Sequence, residues 1–232
     1  MRFHKLVWVA LGAALLLVIA VCVLPFIIGD DLAFLSKGKA SYKVWLTSEK
    51  EEDASEGVSE HDGQTPLARR AEVKGHYCLI GDSRTKGLNQ VCGLSQTEHF
   101  DVVAEVGMGY SWLMSTALWE AAATGQNDYV LLLGVNDLEN ADAYLSAYRG
   151  LLEEGKNLTL ATVGPVEEGR GGYSVTNYEI DVFNGRLSEV EGARVIDLNA
   201  YLWKHEFSTL DGVHYTDETY RLIEEFLLTE LD

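Results

Sequence analysis

Cysteine and basic residues are both scarce in this chain of 232 residues. Its three cysteines, Cys22, Cys78 and Cys92, have neither the spacing of a metal-binding motif nor the density of a disulfide framework. Cys22 lies in an apolar segment, and we expect Cys78 and Cys92 to be free and buried, because a free cysteine behaves as a small apolar residue. Lys and Arg number 18 against 36 Asp and Glu, which gives a formal net charge of -18. So acidic a chain is poorly suited to a phosphate backbone, and nucleic acid is not an expected partner.

Metal-ligand frames and internal repeats are also missing from the sequence. The acidic residues are numerous but show no recognisable ligand spacing, so the sequence predicts no metal site and no other cofactor. No repeat with a period of roughly 20–50 residues occurs. The length and the hydrophobic content of 47% suit one domain with a sizeable core and an additional tail.

One long apolar segment is present, near the N-terminus. It runs from Leu6 to Ile28 without a charged residue and is long enough to cross a hydrocarbon core as a helix. Arg2 and Lys5 precede it and Asp30 follows it, which by the positive-inside rule places the N-terminus in the cytoplasm. The sequence therefore predicts a cytoplasmic segment 1–5 and a transmembrane signal-anchor 6–28, with the rest of the chain outside a cell membrane. The alternative is a cleaved signal peptide and a secreted protein, although the apolar region of a signal peptide is usually shorter.

Residues 29–73 have a different composition from the flanking segments. They are acidic, poor in large apolar residues and without periodicity, which is typical of an extracytoplasmic linker. The exception is "YKVWL", Tyr42 to Leu46. This segment is either a strand that docks on the following domain or an aromatic segment at the membrane interface.

From residue 74 to residue 232, short apolar segments alternate with amphipathic ones. This alternation predicts an α/β domain of three α/β/α layers around a five-stranded parallel sheet. The predicted strands are His76 to Ile80, Phe100 to Glu105, Tyr129 to Gly134, Leu158 to Val163 and Ala193 to Leu198. Helices are predicted for the segment after Ser83 and for residues 111–123, 141–155, 176–190 and 217–231, where apolar residues recur at intervals of three and four.

Polar and glycine-rich motifs follow three of the predicted strands, and another precedes the last helix. They are Gly81-Asp82-Ser83, Gly107-Met108-Gly109, Gly134-Val135-Asn136-Asp137 and "DGVHY" from Asp211 to Tyr215. Open α/β sheets bind ligands beyond the carboxyl ends of their strands, so these motifs should converge in one crevice.

The residue types in these motifs suit nucleophilic catalysis. A serine hydroxyl such as that of Ser83 needs a base to take its proton, which His214 could supply, and Asp211 could orient the imidazole. The backbone N–H groups of Ser83 and Gly107 and the side-chain amide of Asn136 are candidate donors to an oxyanion. Each motif also has a structural interpretation, because Asn136-Asp137 could cap a helix and the glycines and Asp211-Gly212 could form turns.

The four motifs resemble those of the SGNH hydrolases, also called the GDSL-like family. "GDSR" is similar to the nucleophile block, "VGMG" to the glycine block, "GVND" to the asparagine block and "DGVH" to the Asp-x-x-His block, and the resemblance extends from Val73 to Asp232. It implies a flavodoxin-like fold and an esterase or acyl-transfer mechanism. It also implies Ser83 as nucleophile, Gly107 and Asn136 in the oxyanion hole, and Asp211 with His214 as the acid/base pair.

Two positions depart from the family pattern. Arg84 replaces the leucine of the GDSL motif, and we hypothesise that it presents a cation to an anionic or sugar substrate. The glycine block offers both Gly107 and Gly109 as oxyanion donors. Gly107 is preferred because it is the first after the strand.

The expected function is that of a membrane-anchored extracytoplasmic serine hydrolase that removes a small acyl group, such as acetyl, from carbohydrate or cell-envelope esters. An O-acyltransferase that uses the same site and a non-catalytic surface or scaffold protein are the alternatives. Lipid esters fit less well, because no long apolar lid segment occurs outside the predicted anchor. The expected partners are an acylated small molecule or carbohydrate and, through the N-terminal helix, the membrane.

Overall fold

The structure of the chain, a computed structural model, describes residues 73–231. The predicted anchor 6–28, most of the predicted linker and the "YKVWL" segment lie outside these residues. Within residues 73–231, none of the helices has the length and apolar character needed to span a membrane.

Five parallel strands form one sheet, as the sequence predicts. They are β1 (Tyr77–Gly81), β2 (Phe100–Ala104), β3 (Asp128–Leu132), β4 (Asn157–Ala161) and β5 (Arg194–Ile196). Their order across the sheet is β2-β1-β3-β4-β5. This is the flavodoxin-like order, in which ligands bind where β1 and β3 lie side by side and their connections leave in opposite directions.

Helices cover both faces of the sheet. They are α1 (Ser83–Cys92), α2 (Tyr110–Trp112), α3 (Leu118–Ala123), α4 (Ala141–Glu153), α5 (Asn177–Leu187), α6 (Leu198–Lys204) and α7 (Asp217–Glu230). A π-helical segment, Leu113–Ala117, joins α2 to α3, and short 3-10 turns cover Leu94–Gln96 and Leu138–Asn140.

Alternation along the strands divides the core into two layers. Cys78 and Ile80 of β1 pack with α2 to α5 on one face, and Leu79 packs with α1, α6 and α7 on the other. On this second face α1 lies directly against α7. A Cβ atom on Gly87 would come within 2.4 Å of the Tyr220 hydroxyl oxygen, so only glycine lets the two helices approach so closely.

The structure corrects some boundaries and adds one helix. All five strands begin and end within two residues of the predicted positions, and β5 ends at Ile196. Leu198, predicted as the end of that strand, instead begins α6, whose first turn is capped by the Asp197 side chain accepting a hydrogen bond from the Ala200 N–H at 3.0 Å. Cys78 and Cys92 are both free thiols, with Cys78 fully buried and Cys92 half-buried.

Candidate active site

Ser83 lies where β1 passes directly into α1. Asp82 is the N-cap of this helix, and its Oδ1 accepts a hydrogen bond from the Arg84 N–H at 2.9 Å. Ser83 is therefore the first helical residue, and its own N–H has no acceptor within the helix. A backbone donor and the positive end of a helix consequently adjoin the hydroxyl, an arrangement that favours negative charge at this position.

His214 and Asp211 reach Ser83 from a loop that precedes α7. His214 Nε2 lies 3.0 Å from Ser83 Oγ, and His214 Nδ1 lies 2.8 Å from Asp211 Oδ2. The loop is closed at its base by an isolated antiparallel bridge between Thr209 and Tyr215. The hydrogen-bonded chain from hydroxyl to imidazole to carboxylate thus joins residues that are far apart in sequence.

The Asp211 carboxylate is held by several donors. Its Oδ1 accepts from the backbone N–H groups of Val213 at 3.0 Å and His214 at 2.8 Å. Burial by itself raises the pKa of this carboxyl, but the hydrogen bond and charge of His214 and these two amides outweigh burial and hold the pKa below its usual range. Asp211 is therefore an anion over the whole physiological range, which suits it to stabilise an imidazolium.

The pKa of Asp82 is shifted in the opposite direction to that of Asp211. Burial raises the pKa of its carboxyl to about 6, although the nearby Arg84 guanidinium and the Arg84 N–H act to lower it. This acid adjoins the candidate nucleophile and is 2% exposed. Its ionisation is accordingly more costly than that of a carboxyl in water.

The glycine and asparagine motifs lie against each other. The Asn136 side-chain amide donates to the Met108 carbonyl at 2.8 Å, which leaves its second N–H available to a ligand. Asp137 anchors the same region, because its Oδ2 accepts from the Tyr110 N–H at 2.7 Å and its Oδ1 from the Tyr144 hydroxyl at 2.7 Å. The order of the sheet therefore brings the second and third motifs together beside the first.

The two glycines of this motif have different surroundings. A Cβ atom on Gly109 would lie 2.4 Å from Asp137 Oδ2, so packing against Asp137 already accounts for a glycine at this position. Gly107 has a φ of 69° and open space where a Cβ atom would be. The contrast favours Gly107 over Gly109 as the residue that meets a ligand.

The hypothesis that Arg84 presents a cation to the substrate does not fit the structure. Arg84 is 8% exposed, and its guanidinium points into the domain. Nε donates to the Val213 carbonyl at 2.9 Å, Nη1 to Gly164 at 2.8 Å and Nη2 to Pro165 at 3.3 Å. The guanidinium carbon also lies 4.6 Å from the centre of the Tyr215 ring. The guanidinium is thus occupied by interior carbonyls, and it shares that of Pro165 with the Tyr215 hydroxyl, which donates at 2.9 Å.

Sequence reasoning missed this interior role, although a signal was present. Arg84 and Leu88 are four residues apart on α1 and are both buried, so Arg84 occupies the inward face of the helix. The contact of Tyr173 with Asp211 was also missed: the Tyr173 hydroxyl donates to Asp211 Oδ2 at 3.2 Å. No local pattern indicates this contact, since it depends on the path of the loop between β4 and α5.

Comparison with known proteins supports the fold assignment. No protein-family model matches the chain, and no curated protein does. Solved structures do match, among them a GDSL-like lipase from Bacteroides thetaiotaomicron, with a TM-score of 0.56 and 15% identity over 67% of this chain and 87% of that one. The domain has the SGNH/GDSL-hydrolase fold.

Other solved structures share this SGNH/GDSL fold with the chain. A lipase/acylhydrolase from Enterococcus faecalis matches with a TM-score of 0.52 and 17% identity over 67% of this chain and 95% of that one. An acetylxylan esterase from Geobacillus stearothermophilus, solved as a catalytic mutant, matches with a TM-score of 0.52 and 16% identity over 70% of this chain and 96% of that one.

The SGNH/GDSL-fold domain offers groups for acid–base and nucleophilic chemistry at the edge where its motifs converge. Within residues 73–231, no group of three or more His, Cys, Asp and Glu side chains is arranged to hold a metal ion. The described site consists of a hydroxyl, an imidazole, a carboxylate and amide donors. Such a set can transfer an acyl group through the serine hydroxyl.

Proposed function

We propose that the domain is a serine ester hydrolase with Ser83 as nucleophile, His214 as general base and Asp211 as its partner. The observation that carries this proposal is the continuous hydrogen-bonded chain from Ser83 Oγ to Asp211 Oδ2. Ser83 Oγ attacks the ester carbonyl carbon while its proton passes to His214 Nε2, and the anionic Asp211 stabilises the resulting imidazolium. His214 then returns the proton to the departing alcohol oxygen, which leaves an acyl-enzyme that water hydrolyses by the same steps.

The proposed oxyanion hole consists of the N–H groups of Ser83 and Gly107 and the second N–H of Asn136. The position of Ser83 at a helix start supports its part in the hole, because this N–H and the helix dipole both favour an anion. The hydrogen bond from Asn136 to Met108 supports the other part, because it fixes the amide beside the glycine motif.

We further propose that the substrate carries a small acyl group, such as acetyl, on a carbohydrate or cell-envelope component. The fold similarity to an acetylxylan esterase supports an acetylated carbohydrate as substrate. The fold similarity to a GDSL-like lipase and a lipase/acylhydrolase supports ester hydrolysis without indicating the acyl group. The apolar composition of residues 6–28 supports attachment to a cell membrane with the domain outside the cytoplasm. The alternative is release by signal cleavage, and fractionation of cells distinguishes the two by whether the protein is found with the membranes or in the medium.

Hydrolysis of p-nitrophenyl acetate and butyrate by the full-length protein in mild detergent tests the catalytic proposal. Ser83→Ala and His214→Ala should each lower kcat by at least about a thousandfold, because the members of such a triad act as a unit. A fluorophosphonate should label the wild-type protein and spare Ser83→Ala. A folded wild-type protein that neither turns over esters nor reacts with the probe would overturn the proposal and favour a non-catalytic role.

A further inference from the structure

Tyr173 contacts both members of the proposed acid/base pair. Its hydroxyl donates to Asp211 Oδ2 at 3.2 Å, the same oxygen that lies 2.8 Å from His214 Nδ1. The Tyr173 and His214 rings meet edge to face, with centroids 6.2 Å apart and planes inclined at 73°. Tyr173 therefore restrains the imidazole both directly, through the ring contact, and indirectly, through the hydrogen bond to Asp211.

The loop that carries Tyr173, residues 166–175, is fixed to the loop that carries Asp211. The Glu167 N–H donates to the Gly212 carbonyl at 2.9 Å. A Cβ atom on Gly171 would come within 1.8 Å of the Asp211 carbonyl oxygen, and one on Gly212 within 2.5 Å of the Arg170 carbonyl oxygen. Only glycine at both positions allows these two backbones to touch. Tyr173 is thus held in place by the contact between the loops as well as by its own hydroxyl.

The geometry points to a positioning role for this side chain, and we propose that Tyr173 fixes the plane of His214 and limits the negative charge that Asp211 presents to it. This inference rests on the proposed function. With Tyr173 included, the Asp211 carboxylate receives two side-chain donors on Oδ2 and two backbone amides on Oδ1. A carboxylate has about four lone-pair sites, so the tyrosine completes its shell. Without that donor the Asp211 Oδ2 would keep only its bond to His214 and would draw the imidazole proton more strongly.

The direction of the pH effect follows from this competition. Removing the Tyr173 hydroxyl leaves more charge on Asp211, which stabilises the imidazolium, so the acid limb of kcat/KM should move to higher pH. The charged groups on the elements around His214 are Asp211 on its own loop, Asp82 and Arg84 at the start of α1, and Glu167 with Arg170 on the neighbouring loop. All of them are unchanged in a Tyr173→Phe variant, so its difference from wild type isolates the hydroxyl.

The test is ester hydrolysis by the full-length protein and its Tyr173→Phe variant across the pH range. We expect kcat to fall about threefold to tenfold, as the loss of one hydrogen bond implies, with KM nearly unchanged. The acid limb should move up by a few tenths of a unit to about one unit. Tyr178→Phe is the matched control, because Tyr178 is 77% exposed on α5 and undergoes the same chemical change.

A spectroscopic measurement separates this inference from the proposed function. The proton between His214 Nδ1 and Asp211 should give a far-downfield NMR resonance, assigned by its absence in His214→Ala. We expect Tyr173→Phe to shift or broaden this resonance and Tyr178→Phe to leave it alone. If wild type is inactive, the proposed function fails while the resonance still tests the positioning role. If Tyr173→Phe matches Tyr178→Phe in kcat, pH profile and resonance, the positioning role is refuted.

Discussion

Replacement of Arg84 by leucine, the residue of the GDSL motif, should strongly destabilise the domain. The guanidinium donates to three carbonyls on two loops, those of Val213, Gly164 and Pro165, and it stacks on Tyr215. Leucine removes all three donors and takes from the Val213 and Gly164 carbonyls their bonds to Arg84, while the Pro165 carbonyl keeps the Tyr215 hydroxyl. Each unpaired group costs about 1–3 kcal/mol, but the losses are not additive and the cost of burying the arginine charge is recovered. We therefore expect the free energy of unfolding to fall by about 3–5 kcal/mol.

Denaturant unfolding of the full-length protein measures this loss. Arg84→Lys should fall between wild type and Arg84→Leu, because an ammonium keeps the charge but cannot form the planar fork. Arg194→Leu is the matched control, since Arg194 is half exposed and its ion pair with Glu230 contributes little. Suppose Arg84→Leu unfolds at the same denaturant concentration as Arg194→Leu, while KM rises for anionic esters alone. That result would mean that the guanidinium faces the substrate, and it would refute the interior role of Arg84.

Two further predictions concern Asp82 and Gly109. Because the pKa of Asp82 in the folded state, about 6, exceeds that of the unfolded chain, the folded protein holds more protons between about pH 4 and 6, and stability falls as the pH rises through that range. The wild-type free energy of unfolding, measured in urea, should fall by about 2–3 kcal/mol between pH 4 and 7, and Asp82→Asn should abolish this fall. Asp137, whose pKa is also raised by burial, is present in both proteins and does not contribute to the difference. If the free energy of unfolding depends on pH equally in the two proteins, the burial argument is contradicted. Gly109→Ala should lower stability by about 1–3 kcal/mol in thermal unfolding because its methyl group meets the Asp137 carboxylate, whereas Gly150→Ala, in open space on α4, should be neutral or stabilising. Equal melting temperatures for the two alanine variants would contradict this prediction, because they would show that the Asp137 side chain moves aside for the methyl group.

The sheet and the convergence of the motifs could be predicted because both follow from local patterns. Apolar segments such as that around Ile80 mark strands, and a parallel sheet brings the carboxyl ends of all strands to one edge, so the sequence alone predicts that Ser83 and His214 lie together. Whether they act as nucleophile and base remains a proposal. The helix that begins at Leu198 was missed, although Asp197 is a good N-cap residue, because the preceding apolar segment could equally be the rest of a strand.

Contacts that depend on loop paths could not be predicted. The acceptors of Arg84 lie 80 to 129 residues away along the chain, and a charged side chain beside a proposed nucleophile suggested a substrate contact instead. The bond from Tyr173 to Asp211 likewise joins loops that are 38 residues apart. Periodicity describes which face of an element is inward, but it carries no information about which loops meet at its ends.

The geometry of the candidate site depends on the close contact between α1 and α7. Ser83 is the first residue of α1, and His214 lies three residues before α7 begins, so both reactive groups stand at the leading ends of two helices that Gly87 and Tyr220 lock together. The 3.0 Å between the Ser83 hydroxyl and the His214 imidazole therefore depends on how α1 and α7 pack on one face of the sheet. We expect a substitution between α1 and α7, such as Gly87→Ala, to change the spacing of Ser83 and His214 without any contact to a substrate.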